Sequence, residues 1–134
     1  MKYQVAGSKY QTMINTQVSK PRSDLEERTF RFARDVRAFV RKLPKGVINS
    51  SDGEQLVRSS GSVGANYIEA QEAMSKKDFA MRVKICRKEA KESHYWLTLL
   101  SELPDTLQAE HTALIQEALE LKKILSSIVE KVRV

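Results

Sequence analysis

The sequence predicts an all-α fold, an antiparallel up-down-up-down four-helix bundle. Apolar residues recur at three- and four-residue intervals in four consecutive stretches, which is the period of an amphipathic helix. The breaks between these stretches are short, so consecutive helices are expected to lie antiparallel. No segment alternates with the period of a strand. A chain of 134 residues is long enough to bury one core without disulfides or metals.

The first helix is predicted over about 24–43. Ser23 and Glu26 form a capping-box pattern at its start, and Pro44 ends it because the residue before a proline disfavours the α region. One apolar face results, formed by Leu25, Phe32, Val36, Phe39, Val40 and Leu43.

The second helix is predicted over about 51–73, with an N-cap among residues 49–52. Its middle is rich in glycine and serine, so a glycine-rich loop is the alternative, since each glycine costs roughly 1 kcal/mol in a helix. We favour a helix because small residues on one face would let a neighbouring backbone approach; that face carries Val57, Gly61, Gly64 and Ile68.

The third helix is predicted over about 76–102, with Ser75 and Asp78 as a cap pair. It is apolar on a broad surface and must bury more than one side. Its first stripe comprises Phe79, Val83, Cys86, Ala90, Ser93, Leu97 and Leu100, and its second Met81, Ile85, Trp96, Leu99 and Leu103. The fourth helix is predicted over about 105–131, and its apolar residues are Leu107, Leu114, Ala118, Leu121, Leu125, Ile128 and Val132.

Composition narrows the function without deciding it. The chain has 23 Lys and Arg against 17 Asp and Glu, a net charge of +6. This surplus permits binding to nucleic acid, although it could also serve solubility alone. The single cysteine, Cys86, excludes an internal disulfide and favours a reducing cytoplasm. No segment is apolar enough for a signal peptide or a membrane span.

Residues 1–23 are predicted to form a loose basic tail. They carry Lys2, Lys9, Lys20 and Arg22 and no acidic residue. An arm tied onto the bundle, or an extension derived from cloning, is the alternative.

Three segments resemble, in order and spacing, the helices of the four-helix-bundle intervening-sequence protein family. Residues 25–44 are similar to its first helix, residues 58–70 to its second, and residues 84–97 to its third. Members of this family are encoded in insertions within bacterial large-subunit ribosomal RNA genes and elsewhere. The resemblance implies a bundle that assembles into a homopentamer.

A related branch of that family is the accessory variability determinant of diversity-generating retroelements. It forms a basic pentameric barrel that binds nucleic acid and a reverse transcriptase. The resemblance therefore implies RNA or DNA as a partner, and a reverse transcriptase if the chain is associated with a retroelement.

Basic residues on the outer faces of the first and third helices are the candidate nucleic-acid-binding residues. If both faces point to one side of an oligomer, their fields add and hold phosphates by charge. The alternative is a solvated face with i,i+4 ion pairs. The candidates are Arg31, Arg34, Arg37 and Arg41 on the first helix, and Lys84, Arg87, Lys88 and Lys91 on the third.

Two further sets of residues are expected to be structural. Phe30 lies among the arginines of the first helix, where it could stack a base or, as we prefer, fill a subunit interface. The interface set is Phe30, Met81, Ile85, Trp96 and Leu99. For its four members on the third helix, a place in the intramolecular core is an equal alternative. An interhelical polar network is expected to link Arg58 with Glu89 or Glu92 and to pair Arg82 with an acid; its candidates are Arg58, Asn66, Glu69, Arg82, Glu89 and Glu92.

No catalytic, metal or cofactor site is predicted. Neither His94 nor His111 has the Glu-x-x-His spacing of a di-iron bundle, and both are expected to be surface or cap residues. Cys86 lies on the core stripe and is expected to act as a small hydrophobe. Gly61 and Gly64 alone are far too little for a phosphate-binding loop.

Overall fold

A computed structural model describes residues 24–132 and confirms the all-α four-helix bundle. The helices are α1 (Asp24–Arg41), α2 (Val47–Gln71), α3 (Lys76–Leu99) and α4 (Asp105–Lys131), and no strand occurs within residues 24–132. The predictions about the basic tail and about Ser23 as a cap lie outside the described residues.

The four helices form a closed square. Each helix packs on its neighbour along the chain, and α1 also contacts α4. Among the described helices, the Cα atoms of α1 and α3 do not come within 8 Å of each other, and neither do those of α2 and α4. Therefore α1 and α3 stand at opposite corners of the bundle, and α4 lies between them.

The core is built from the apolar faces that the helical period predicts. Phe32, Val36 and Phe39 of α1 are buried and belong to one hydrophobic core that also contains residues of the other three helices. Burying one side chain of this size contributes about 1.5–3 kcal/mol. Leu100 and Leu103 are also buried, although they lie in the loop after α3. The apolar pattern thus continues past the end of the helix, which is why the predicted helix was three residues too long.

The start of α2 differs from the prediction. The helix begins at Val47 after an N-cap at Gly46 that makes no side-chain hydrogen bond. Asn49, one of the predicted caps, lies inside the first turn and donates from Nδ2 to the carbonyl of Pro44, 2.9 Å away. Val47 and Ile48 are 85% and 70% exposed. This first turn therefore has no buried apolar face, and periodicity could not reveal it.

The glycine-rich middle of α2 is helical, so the loop alternative is wrong. Here α1 and α2 approach closely. A Cβ atom added at Gly64 would lie 3.3 Å from Cβ of Thr29 and 3.7 Å from its carbonyl carbon. Glycine at this position therefore lets the two backbones come together, as the small-residue face predicted.

A pair of buried hydroxyls joins α2 to α3. The Oγ atoms of Ser59 and Ser93 are 2.9 Å apart, and both residues are fully buried. Each hydroxyl also lies within hydrogen-bond distance of a carbonyl of its own helix, that of Leu56 or Glu89. The pair satisfies polar atoms that would be costly to bury alone. Across residues 24–132, no helix is both long and apolar enough to cross a membrane.

Candidate nucleic-acid interface

The basic residues of α3 line a groove against α4. Lys84, Arg87, Lys88 and Lys91 of α3 face Lys122 and Ser126 of α4. We call this set of six residues the cation groove. Its open volume is about 370 Å³, and five of its six lining side chains are cationic.

The N-cap of α3 and the buried face of this helix determine the direction of the basic side chains in the cation groove. Ser75 caps the helix by accepting a hydrogen bond from the backbone N–H of Asp78, as predicted. Val83, Cys86 and Ala90 are fully buried on the inner side. Burial raises the pKa of the Cys86 thiol from 9.0 to about 12, so this side chain stays neutral in the core. With the inner face fixed, the intervening lysines and Arg87 must point outward.

Most charges of the cation groove have no carboxylate partner. Among the described residues, Lys84, Arg87, Lys91 and Lys122 form no ion pair, and Lys88 lies 4.0 Å from Glu89. Helix α3 as a whole carries seven cations and three carboxylates. The positive potential at the groove is therefore not cancelled locally, and it is available to an anionic ligand.

The arginines of α1 are arranged differently. Arg37 folds back to donate to the carbonyl of Ala33 at 3.0 Å and lies against Gly61. Arg34 lies 3.3 Å from Asp35. Arg31 and Arg41 are exposed at the surface. Because α1 and α3 occupy opposite corners, their basic faces do not adjoin within one chain.

The predicted polar network is centred on Arg58. Its guanidinium contacts Glu92 at 2.5 Å and Glu89 at 3.5 Å, which links α2 to α3. Arg82 instead pairs within α3, 3.9 Å from Asp78. Asn66 and Glu69 do not join the network: Asn66 donates to Ser62 of its own helix, and Glu69 is exposed. The helix interior thus satisfies Asn66 locally, contrary to the prediction.

The predicted interface residues do not form one surface. Phe30 is 50% exposed beside a shallow apolar groove between α1 and α2 that Ile68 also lines. Met81 and Leu99 are about half exposed on α3. Ile85 is partly buried, and Trp96 packs partly against the core. The apolar surface is therefore split between two faces of the bundle.

The described residues contain no group of three or more His, Cys, Asp or Glu that could hold a metal. His111 stacks on Phe39 with ring centroids 5.8 Å apart, and its Nε2 lies 2.7 Å from the carbonyl of Leu97. It therefore serves the last turn of α3 as a cap. Cys86 is fully buried in the core, as predicted.

Two residues of the cation groove, and one residue beside it on α3, were not singled out from the sequence. Lys122 and Ser126 join the cation groove because α4 packs beside α3, a relation that no local pattern carries. Tyr95 is 56% exposed on α3. It lies four residues after Lys91, so its spacing was the signal that could have placed it beside the basic residues.

Two comparisons with known proteins relate this chain to others. The model of the 23S rRNA-intervening sequence protein family matches residues 22–127. A solved structure from Bacteroides thetaiotaomicron is described as a protein with unknown function from the S23 ribosomal protein family. It is 30% identical, with a TM-score of 0.66, over 80% of this chain and 99% of that chain. No curated protein sequence matches the chain.

Proposed function

We propose that this chain, which belongs to the 23S rRNA-intervening sequence protein family, is a non-enzymatic cytoplasmic protein that binds the phosphate backbone of RNA or DNA. The cation groove would be the binding surface. The observation that carries the proposal is the convergence of five cationic side chains from α3 and α4, four of which have no ion-pair partner among the described residues.

The chemistry of the groove favours backbone recognition over base reading. Lysine and arginine at a helix surface contact phosphates, which fixes register but carries no sequence information. The groove offers Ser126 as its one uncharged polar side chain. Binding is therefore expected to depend strongly on salt and weakly on sequence.

We further propose that the protein acts as a homo-oligomer, a homopentamer by resemblance to its family. The exposed apolar side chains on two faces support this, since Phe30 and Ile68 border one groove while Met81 and Leu99 lie on another helix. Two different apolar faces suit a head-to-tail contact, which forms a ring when the rotation between subunits closes. Multi-angle light scattering at micromolar concentration measures the mass, and a monodisperse monomer would contradict the oligomer.

A salt titration tests nucleic-acid binding. Fluorescence anisotropy of labelled RNA and DNA oligonucleotides is measured from about 50 to 200 mM NaCl. If each of five cations neutralises one phosphate, the slope of log K against log salt is about −3.5 for single strands and about −4.5 for duplex DNA. No binding at low salt, or an affinity that salt leaves unchanged, would contradict the proposal.

The alternative is a protein-interaction scaffold whose basic residues maintain solubility. The split apolar surface supports it, because exposed patches mark contact sites. A reverse transcriptase is the partner to test if the gene lies in a retroelement. Retention of that enzyme by the chain, without any affinity for nucleic acid, would favour the scaffold.

A further inference from the structure

A row of exposed side chains runs along the outer side of α3. Lys84, Lys88, Lys91 and Tyr95 follow each other at spacings of four, three and four residues. Such spacings place them on one side of a helix, about 4.5–6 Å apart along its axis. Three cations and an aromatic ring are therefore arranged in line, with the ring at one end.

The ring of Tyr95 is held in place by Trp96, which lies between it and the core. It meets Trp96 edge to face, with ring centroids 5.1 Å apart and planes at 75°. Trp96 in turn packs against the hydrophobic core, and its Nε1 atom is buried. An edge-to-face contact of this kind stabilises a ring in one orientation. Tyr95 is thus a fixed and largely exposed aromatic surface at 56% exposure.

We infer that the cation groove takes a single-stranded nucleic acid, with successive phosphates along the three lysines and an unpaired base stacked on Tyr95. This inference rests on the proposed function and names its ligand class. Cationic residues that track a backbone beside an aromatic platform are the arrangement by which proteins hold single strands.

A duplex does not use the same platform. Its bases are paired and stacked inside the helix, so only phosphates and groove edges reach the protein. A duplex or inorganic polyphosphate could still bind the lysines by charge. The ring of Tyr95 should therefore separate single strands from these other polyanions.

The test compares three probes on one protein. Fluorescence anisotropy measures the affinity of a labelled single-stranded 12-mer RNA and of its blunt duplex, and inorganic polyphosphate is titrated as a competitor. Tyr95→Ala is expected to weaken single-strand binding about 5- to 100-fold, the range for loss of one stacked base. Duplex and polyphosphate affinities should change less than twofold. Tyr95→Phe should restore single-strand binding because it keeps the ring.

Met74→Ala is the control, since Met74 is 93% exposed in the loop before α3 and belongs neither to the cation groove nor to the proposed subunit interface. It should leave all three affinities unchanged. Unchanged single-strand affinity in Tyr95→Ala, or equal losses for all three probes, would overturn the inference. A change of oligomeric mass in light scattering, with nucleic-acid affinity intact, would assign Tyr95 to a protein contact and would also overturn it.

Lys88→Glu separates this inference from the proposed function. Suppose that Lys88→Glu loses affinity for all three probes while Tyr95→Ala binds them like the wild type. Tyr95 would then have no stacking role, and phosphate binding by the cation groove would still stand. If Lys88→Glu retained wild-type affinity for every probe, the cation groove itself would be the wrong surface.

Discussion

Helices α1 and α3 carry similar basic faces in sequence, yet the fold uses them differently. On α1, Arg28 forms two hydrogen bonds with Glu117 of α4, at 2.7 and 2.9 Å. Glu117 raises the pKa of Arg28 by this contact, despite partial burial. On α3, the cations of the groove face Lys122 of α4 instead of a carboxylate.

The difference comes from the partner helix. Along α4, Glu117 pairs with Arg28 of α1, and Glu110 pairs with Lys42, the residue directly after α1. Lys122 faces α3. One helix thus neutralises cations at one corner of the bundle and adds to them at the opposite corner. The neighbouring helix therefore decides whether the cations that it touches are paired or reinforced, whereas Arg31 and Arg41 on the outer face of α1 form no ion pair among the described residues and have no cation of α4 beside them.

Matched charge reversal tests this contrast most strongly. A variant with Lys84→Glu, Lys88→Glu and Lys91→Glu is expected to bind RNA at least 100-fold more weakly at 50 mM NaCl, because it removes three phosphate contacts. The control carries Arg31→Glu, Arg34→Glu and Arg41→Glu and has the same net charge. The RNA affinity of this control should fall less than tenfold. Anisotropy titrations measure both, and equal losses would show that overall charge, not the groove, governs affinity.

At the α1 corner, α2 meets the backbone of α1 at Gly64 but only the end of a long side chain at Gly61, and a pair of glycine substitutions tests this difference. Gly64→Ala should lower the free energy of unfolding by about 1–2 kcal/mol, because its Cβ meets the fixed Cβ of Thr29. Gly61→Ala should raise it by up to about 1 kcal/mol through helix propensity. The atom that Gly61→Ala meets is Nη2 at the end of the long Arg37 side chain, which can shift while Nη1 keeps its hydrogen bond to the carbonyl of Ala33. Urea unfolding compares them, and equal signs would contradict the close approach of α1.

The inner side of α3 should make stability sensitive to alkaline pH. The folded-state pKa of Cys86 is raised from 9.0 to about 12, so the unfolded thiol ionises first as the pH rises. The buried thiol's contribution to the free energy of unfolding is complete below pH 9 and is lost between pH 9 and 12. From pH 8 to 10 the loss is about 1.4 kcal/mol. Urea unfolding at both pH values measures it. Cys86→Ala should not show this loss between pH 8 and 10. An identical pH dependence in the wild type and the variant would refute the prediction.

The smallest expected effect separates a paired cation from an unpaired one. Arg28→Ala should lower the free energy of unfolding by about 1 kcal/mol, since its ion pair with Glu117 is bidentate but one-third exposed. Arg87→Ala should change it by less than about 0.5 kcal/mol. Chemical denaturation compares the two variants. A larger loss in Arg87→Ala would mean that the groove has a structural role.

The fold was predictable because its information is local. Apolar residues at helical spacing identified four helices, and Ser75 marked the start of α3. The start of α2 was missed because Gly46 caps it without a side chain and its first turn exposes Val47 and Ile48. Residues that are neither buried nor used as caps add nothing to the apolar period or to the capping pattern in the sequence.

Four of the six residues of the cation groove could be predicted from the sequence. Its α3 residues follow from helical spacing, whereas Lys122 and Ser126 required knowing that α4 lies beside them. The wheel also placed Arg37 with the exposed arginines, but its side chain returns to the carbonyl of Ala33. The addition of Lys122 and Ser126 to the site depends on residues distant in sequence, and so does the position of Arg37 against α2. Helical periodicity does not encode such contacts.

The placement of Trp96 gives this protein a built-in optical probe. It is the only tryptophan in the chain, and its indole touches the ring of Tyr95 while its other side rests on the core. Any molecule that stacks on Tyr95 changes the surroundings of that indole. Intrinsic emission then reports occupancy of this end of α3 in an unlabelled protein, separately from events at the α1 corner.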